Sequence, residues 1–292
     1  MIFIIDSGST KCDWIAIDTE TGEPIFEKQR TKGLNPAIIS DTDAFNIIKA
    51  NDIIYGNKLK VTHVYFYGAG CGTEKPSKML REVLESIFLN AEVVVEEDTY
   101  AAIYATVGVS HRPAVVCILG TGSNCTYYDG EKVDQRVTSL GYSIMDDGSG
   151  NYFGRKLLRD YYFNQMPHDL KLVFETRYDV HEDAIKKALY KKPNPNAYLA
   201  TFAEFLILNK ESEYIQNVIK EGLRDFVETM ILQYKEEIKT VPVHFAGSIA
   251  YFTQEEIKSV AQEYGFTVGN FERRPIEGLV NYHAEIARSS SS

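Results

Sequence analysis

The order of apolar and polar positions predicts alternating strands and helices along the chain. Residues 2–5 form a short apolar run, residues 13–18 alternate in part, and a glycine-containing turn, Ser7–Thr10, lies between them. This pattern is typical of a β-hairpin, to which residues 24–30 could add a third antiparallel strand. The spacing then predicts a helix near 41–50, a strand at 63–68, a helix at about 76–88, a strand at 91–98 and a helix from about residue 99. These elements indicate a mixed α/β domain.

The pattern restarts after residue 113. Residues 114–119 predict a buried strand, which a second glycine turn (120–124) and a return strand (126–129) follow. Ile5–Ser9 aligns with Leu119–Ser123, so the same strand–turn–strand unit occurs twice. We therefore predict two related halves. One domain comprises residues 1–110, completed by the C-terminal helix 275–288, and the other comprises residues 111–274.

The second half is predicted to be richer in helix. After a DDGSG turn, the pattern predicts a helix over 149–164, a long amphipathic segment over 213–238, a strand at 241–247, a strand at 266–271 and a helix over 275–287 that begins at a proline. The apolar stripe of the 213–238 segment is interpreted as core packing.

Composition narrows the class of protein. The 292 residues suffice for two domains, and 44% hydrophobic with 25% charged residues is typical of globular proteins. A net charge of -10 argues against nucleic acid or an anionic membrane as partner. The four cysteines form no CxxC pair and the six histidines no HxxxH pair. The N-terminal residues MIFIID lack a basic leader, so we expect a cytoplasmic protein.

Two glycine hairpins that each leave a buried strand can bind phosphate, because small residues allow close approach of backbone N–H groups. Asp6, just before the first turn, can hold Mg²⁺, which prefers one or two carboxylates together with phosphate oxygens. Lys11 adds a positive charge beside the first turn. A third glycine turn at 245–250 precedes a helix. Two ordinary hairpins are the alternative, and neither a Walker A nor a Rossmann motif is present.

The order of the motifs resembles the actin/hexokinase/Hsp70 nucleotide-binding superfamily. The matching segments are Asp6–Asp13, Glu97–Ala102, Leu119–Asn124, Phe245–Ala250 and Pro275–Gly278. Within this superfamily the chain is similar to the BadF/BadG/BcrA/BcrD ATPase family, which includes N-acetylglucosamine kinases, because Asp146–Gly150 resembles that family's Asp-Glu-Gly-Ser-Gly segment. The resemblance implies an α/β fold of two ribonuclease H-like (actin-like ATPase) domains with an interdomain cleft.

The same resemblance implies an ATP- and Mg²⁺-dependent kinase that phosphorylates the 6-hydroxyl of N-acetylglucosamine or a related amino sugar. Asp98 matches the catalytic base, which also contacts the sugar, and Asp6 matches the Mg²⁺ carboxylate. Asn35 and Asp146 match further sugar contacts. The residues that match the nucleotide-binding loops are Asp6, Gly8, Ser9, Thr10, Lys11, Thr121, Gly122, Ser123, Gly247 and Ser248. The alternative for Asp98 is a helix cap at the end of an acidic strand.

Four departures from the family pattern concern the sugar pocket. Asp147 replaces the usual glutamate, Met145 replaces the preceding glycine, and Tyr142 stands where relatives often have tryptophan; the Pro36–Ala37 loop also differs.

Two other functions stay open. One is an ATPase that activates a dehydratase or reductase, for which Cys71 is the candidate cluster ligand, and the other is a sugar or nucleotide sensor without turnover. The oligomeric state is also open, with a homodimer as one alternative.

Overall fold

The computed structural model describes residues 1–8 and 11–290, so the predicted nucleotide contacts Ser9 and Thr10 lie outside the described residues. The chain divides into two compact units. Unit 1 comprises Met1–His111 together with Arg274–Ser292, and unit 2 comprises Arg112–Arg273. Each unit is described by itself below.

Unit 1 contains a mixed sheet in the order β3-β2-β1-β4-β5. Strand β1 pairs with β2 in antiparallel orientation and with β4 in parallel orientation, and β4 pairs with β5 in parallel orientation. The bounds of these strands are β1 Ile2–Ser7, β2 Lys11–Ile17, β3 Gln29–Lys32, β4 His63–Gly68 and β5 Glu92–Glu97.

Unit 2 repeats this arrangement with the order β10-β9-β6-β7-β8. Strand β6 is antiparallel to β7 and parallel to β9, and β9 is parallel to β10. The bounds are β6 Ala114–Leu119, β7 Ser123–Tyr128, β8 Val133–Asp134, β9 Val243–Ala246 and β10 Val268–Glu272. Both sheets therefore begin with an antiparallel hairpin and continue with two parallel strands, as the repeated strand–turn–strand pattern predicts.

Helices occupy the connections between strands. In unit 1 they are α1 Asp41–Lys49, α2 Asp52–Gly56, α3 Glu74–Ile87, α4 Asp98–Val107 and α13 Pro275–Ser290, with a 3₁₀ turn at Gly108–Ser110. In unit 2 they are α5 Gly150–Tyr162, α6 His168–Arg177, α7 Glu182–Tyr190, α8 Pro195–Thr201, α9 Glu204–Leu208, α10 Glu213–Thr229, α11 Ser248–Phe252 and α12 Gln254–Tyr264, with 3₁₀ turns at Ile231–Tyr234 and Glu237–Lys239.

Each sheet is covered by apolar side chains. In unit 1, alternate residues of β1 point to opposite faces: Phe3 and Ile5 pack with α1 and α3 residues, whereas Ile2 and Ile4 pack with α4 and α13 residues. In unit 2, the inward residues of β6 pack in one large cluster with α5, α10 and α12. The C-terminal helix thus contributes to the core of unit 1.

The amphipathic segment 213–238 is not one helix. Helix α10 ends at Thr229, and a 3₁₀ turn follows at Ile231–Tyr234. The Tyr234 hydroxyl contacts the carbonyl oxygens of Cys125 and Asp134 at 3.2 and 3.1 Å and accepts a hydrogen bond from the Arg136 N–H. These hydrogen bonds to the neighbouring sheet stabilise the chain more than a further turn of α-helix would. The third strand of unit 1 also lies later than predicted, at Gln29–Lys32 instead of 24–30.

Candidate active site

The parallel strands of unit 1 end at one edge of the sheet. Ser7, Gly68 and Glu97, the last residues of β1, β4 and β5, lie in register with one another. Because Asp98 follows Glu97 directly, the fold brings the start of α4 to the same edge as the turn after β1. This edge carries Asp6 and Asp98, as well as the loop that contains Asn35.

Asp6 lies in an acidic environment. It pairs in register with Asp13 on β2 and with Tyr67 on β4. Burial raises the pKa of Asp6 to about 6, and the charges of Asp98 and Asp13 add to the increase, while Lys11 acts in the opposite direction. Because its surroundings disfavour the ionised form of Asp6, a neighbouring cation would stabilise that form. The site therefore suits a divalent metal with oxygen ligands.

Asp13 is held as a carboxylate by basic residues. Burial alone would raise its pKa, but the Arg30 guanidinium donates two hydrogen bonds to it, at 2.6 and 3.2 Å, and Lys28 lies 3.6 Å away. The pKa of Asp13 is lowered as a result. A persistent negative charge therefore lies next to Asp6.

Asp98 is the first residue of α4, and its side chain is exposed to solvent at the edge of the sheet. The surrounding protein partly desolvates the carboxylate and so raises the pKa of Asp98, although the backbone N–H groups of Thr99 and of Asp98 itself hydrogen-bond the carboxylate and act in the opposite direction. The Thr99 hydroxyl beside it is buried and has no hydrogen-bond partner among the described residues. A carboxylate with a raised pKa at a strand end is well placed to accept a proton from a hydroxyl.

Asn35 lies in the loop that joins β3 to α1, and it is 8% exposed. The preceding residue, Leu34, donates its backbone N–H to the Ser7 hydroxyl at 2.8 Å, which ties this loop to the end of β1. The Asn35 Oδ1 atom accepts the Ala37 N–H at 2.9 Å. Gly70, at a φ of +84°, packs so closely that an added Cβ would lie 2.0 Å from Asn35 Oδ1. A glycine is therefore required beside Asn35.

The turn of unit 2 is held from behind by the start of α5. The N–H groups of Gly150 and Asn151 donate to the carbonyl oxygens of Gly120 and Thr121, at 2.8 and 3.0 Å. Ser149 caps the helix, accepting the Tyr152 N–H at 3.3 Å. The DDGSG segment thus folds as predicted, directly before a helix, and anchors the carbonyl side of the Thr121–Ser123 turn.

Asp146 contacts this turn through both carboxylate oxygens. Its Oδ1 accepts the Ser123 N–H at 3.4 Å, and a Cβ added to Gly122 would lie 2.8 Å from its Oδ2. The Oδ2 atom also accepts a hydrogen bond of 2.8 Å from the Asn151 side chain. A cavity of about 190 Å³ adjoins the contact and is lined by Ser123, Val137, Ser139, Ile144, Met145, Asp146, Asp147, Thr229 and Met230.

Gly247 places the third glycine turn against the end of strand β6. It has a φ of +110°, and an added Cβ would lie 2.4 Å from the Leu119 carbonyl oxygen. Its N–H donates to the Glu272 carbonyl oxygen at 2.8 Å. Ser248, the first residue of α11, is exposed. Backbone from β6, β9 and β10 therefore converges at the end of the unit 2 sheet.

The predicted site residues thus fall into two groups. Asp6, Gly8, Lys11, Asn35 and Asp98 lie in unit 1, where Gly8 donates its N–H to the Lys11 carbonyl oxygen at 3.0 Å. Thr121, Gly122, Ser123, Asp146, Gly247 and Ser248 lie in unit 2. Sequence reasoning missed Asn151, Thr99 and Gly70. The available signal was a polar residue in the first turn of each helix, Thr99 in α4 and Asn151 in α5.

Comparison with solved structures identifies the family. A protein from Porphyromonas gingivalis, proposed to be an N-acetylglucosamine kinase, is 32% identical over 98% of this chain and 99% of its own, with a TM-score of 0.89. The chain belongs to the family of that protein. No family model matches the chain, so membership in the BadF/BadG/BcrA/BcrD family stays a prediction. No curated protein matches it either.

More distant structures share the fold. A proposed N-acetylglucosamine kinase from Chromobacterium violaceum is 12% identical over 97% of this chain and 98% of its own, with a TM-score of 0.65. A ROK-family glucokinase from Streptomyces griseus, solved with glucose and AMPPNP, is 16% identical over 99% of each chain, with a TM-score of 0.56. The prediction of two actin-like ATPase domains of α/β type is confirmed. The fold is that of sugar kinases.

Proposed function

We propose that this protein is an ATP-dependent kinase that phosphorylates the 6-hydroxyl of N-acetylglucosamine or a related amino sugar. The observation that carries the proposal is the position of Asp98, a solvent-accessible carboxylate with a raised pKa at the strand edge that also holds Asp6 and Asn35. The relation to the proposed N-acetylglucosamine kinase from P. gingivalis supports the choice of sugar.

Asp98 acts as the general base in this proposal. It accepts the proton of the sugar hydroxyl as that oxygen attacks the γ-phosphorus of ATP and the bond to the β-phosphate oxygen breaks. Phosphoryl transfer depends mostly on positioning and charge neutralisation, so one base and two phosphate-binding turns suffice. Asn35 and Asp146 are proposed to hydrogen-bond other sugar hydroxyls and so orient the attacking oxygen.

The residues around Asp6 fit a magnesium ion. Asp6 supplies carboxylate oxygens, and the nearby negative charges of Asp98 and Asp13, which raise its pKa, would be offset by a cation. Bound Mg²⁺ would neutralise charge on the phosphate oxygens of ATP. Asp6 is the proposed ligand.

Nucleotide binding is proposed for the glycine turns. Gly8, Ser9, Thr10 and Lys11 would contact phosphates at the first turn, and Thr121, Gly122 and Ser123 at the second. The nucleoside is assigned to Gly247 and Ser248, where close backbone packing leaves no room for a larger residue at position 247. Small residues with available N–H groups are the usual phosphate contacts.

The iron–sulfur activator alternative rests on Cys71. This thiol is buried, and burial raises its pKa to about 12, with Asp98 and Glu97 adding to the shift. Metal ligation needs the thiolate. Among the described residues, no group of three or more histidine, cysteine or acidic residues is arranged to hold a metal ion.

In the part of the chain that the structure describes, no helix combines the length and the apolar composition that a membrane span requires.

The test is ADP production from Mg-ATP with N-acetylglucosamine, N-acetylmannosamine, glucose and no sugar. If the protein is such a kinase, we expect ADP release that depends on an N-acetylhexosamine and is at least about tenfold slower with glucose, because a substrate that lacks a polar contact made by the site reacts more slowly by at least that factor. ATP turnover at the same rate without sugar would favour the activator. No turnover with any sugar, despite ATP binding, would favour the sensor.

A further inference from the structure

The Asp146 carboxylate lies against the Thr121–Ser123 turn, which is the second proposed phosphate contact. One of its oxygens accepts the Ser123 N–H, and the other lies against the bare face of Gly122. An anion that uses the same N–H would meet a negative charge already in place. In this arrangement the carboxylate and a nucleotide phosphate exclude each other.

Asn151 determines where this carboxylate lies. Its side-chain nitrogen donates to Asp146 Oδ2 at 2.8 Å and to the Thr121 carbonyl oxygen at 2.7 Å, so a single amide joins the carboxylate to the turn. Asn151 is 1% exposed and lies in the first turn of α5, where its backbone N–H also donates to Thr121. The amide therefore has no freedom to rotate away while both bonds persist.

The arrangement carries two signs of stored free energy. Asp146 has a φ of +71°, a left-handed conformation that aspartate and asparagine adopt more readily than other non-glycine residues but still at a small cost. The Asn151 Oδ1 atom is buried and has no hydrogen-bond partner among the described residues. A contact with these costs can be opened by a ligand that offers better partners.

We propose that Asn151 is a positioning residue that holds the Asp146 carboxylate over the Thr121–Ser123 turn, so that the turn binds nucleotide phosphate only after the Asp146–Asn151 pair opens. The inference rests on the proposed function, in which this turn contacts ATP. A sugar that hydrogen-bonds Asp146 would open the pair and thereby favour nucleotide binding. Sugar would then bind before ATP, and hydrolysis without sugar would be suppressed.

The test is calorimetric titration of the full chain with MgADP in the absence of sugar. Asp146→Asn removes the negative charge and keeps a residue that tolerates the left-handed conformation, and Asn151→Leu removes the hydrogen bond at similar volume. We expect both variants to bind ADP at least about fivefold more tightly than the wild type. Asp147→Asn is the matched control: it makes the same charge change one residue away, at a side chain that pairs with Thr229 instead of the turn, and should leave affinity within about twofold.

A gain in affinity distinguishes positioning from a structural role, because damage to the fold would weaken binding. If Asn151→Leu does not fold, Asp146→Asn alone decides. ADP affinity in Asp146→Asn that rises less than about fivefold, or falls, would overturn the positioning role and leave the kinase proposal intact. If neither the wild type nor Asp146→Asn binds ADP at all, the proposed function fails, and this inference fails with it.

Discussion

The two sheets share one strand order and one strand–turn–strand unit, yet their turns present different chemistry. In unit 1 the residue before the turn is Asp6, and the surrounding edge collects Asp13, Glu97 and Asp98. In unit 2 the aligned residue is Gly120, and the turn is held by backbone N–H groups and the Asn151 amide. An added Cβ at Gly120 would meet no atom of the described residues within 4 Å, so these residues leave space for a side chain there.

The two units therefore present different chemistry at equivalent places in the same fold. Unit 1 gathers acids that burial makes reluctant to ionise, which suits proton transfer and metal binding. In unit 2 the Ser123 N–H of the turn donates to the Asp146 carboxylate, so this turn is able to contact a negatively charged group. Substitutions in unit 1 should therefore act mainly through side-chain chemistry, and substitutions in unit 2 mainly through backbone geometry.

The largest expected effect is on catalysis in unit 1. Asp98→Asn keeps the size of the side chain and removes the base, so we expect kcat to fall by about 10²–10⁴. ADP affinity should stay within about threefold, because the substitution leaves both turns unchanged. Steady-state kinetics and calorimetry check both statements.

Glu97→Gln is the matched control for this prediction. Glu97 is the neighbouring acid, its pKa is also raised, by burial first and then by Asp98, and its carboxylate lies beside Gly72. A carboxylate that takes no part in the proton transfer should contribute little to the rate, so we expect less than about a tenfold change in kcat for Glu97→Gln. Equal losses in the two variants would contradict a specific role for Asp98.

Backbone geometry should dominate in unit 2. Gly247→Ala places a Cβ 2.4 Å from the Leu119 carbonyl oxygen at a φ of +110°, so we expect a loss of about 2–4 kcal/mol and a melting temperature about 5–15 °C lower. Gly8→Ala in unit 1 is the comparison, because among the described residues the nearest atom to its added Cβ, the Lys11 carbonyl oxygen, would be 3.9 Å away. That variant should melt within about 3 °C of the wild type. Similar melting temperatures for both variants would refute the contrast.

Acid should destabilise both units through buried histidines. Burial lowers the pKa of His283 in unit 1 to about 3, with His63 contributing, and that of His244 in unit 2 to about 4. In His244 the Nδ1 atom accepts the Asn270 N–H at 2.7 Å, which a proton there would prevent. An unfolded histidine binds a proton below about pH 6.5, so this stability is present above that pH and lost as pH falls toward the folded pKa.

Each of these histidines should lower the free energy of unfolding by about 2 kcal/mol when the pH falls from 7.5 to 5. Thermal melts across this range should therefore fall less steeply in His244→Asn and His283→Asn than in the wild type. The exposed His168→Asn variant is the control and should match the wild-type slope. Parallel slopes in all four proteins would show that neither buried histidine stays neutral on folding.

Much of the fold follows from local pattern. Strands β4 and β6 have the predicted bounds, 63–68 and 114–119, because short apolar runs between turn signals leave few alternatives. The 3₁₀ turn at Ile231–Tyr234 could not be predicted in this way. It depends on bonds between Tyr234 and strands about a hundred residues earlier in the chain.

The candidate site is predictable only in part for the same reason. The glycine turns and Asp98 stand out as local motifs in the sequence. Asn151 does not, because its role depends on a turn 30 residues earlier and on Asp146. The need for glycine at position 70 likewise depends on contact with Asn35, which is distant in the chain.

The central claim, phosphoryl transfer to the 6-hydroxyl of an amino sugar with Asp98 as base, is tested most directly by identifying the product. The protein would be incubated with Mg-ATP and ¹³C-labelled N-acetylglucosamine and followed by ¹³C and ³¹P NMR. We expect a sugar 6-phosphate, seen as carbon 6 coupled to phosphorus, formed in equal amount to ADP. ADP accompanied by inorganic phosphate and unchanged sugar, or phosphate on another hydroxyl, would contradict it.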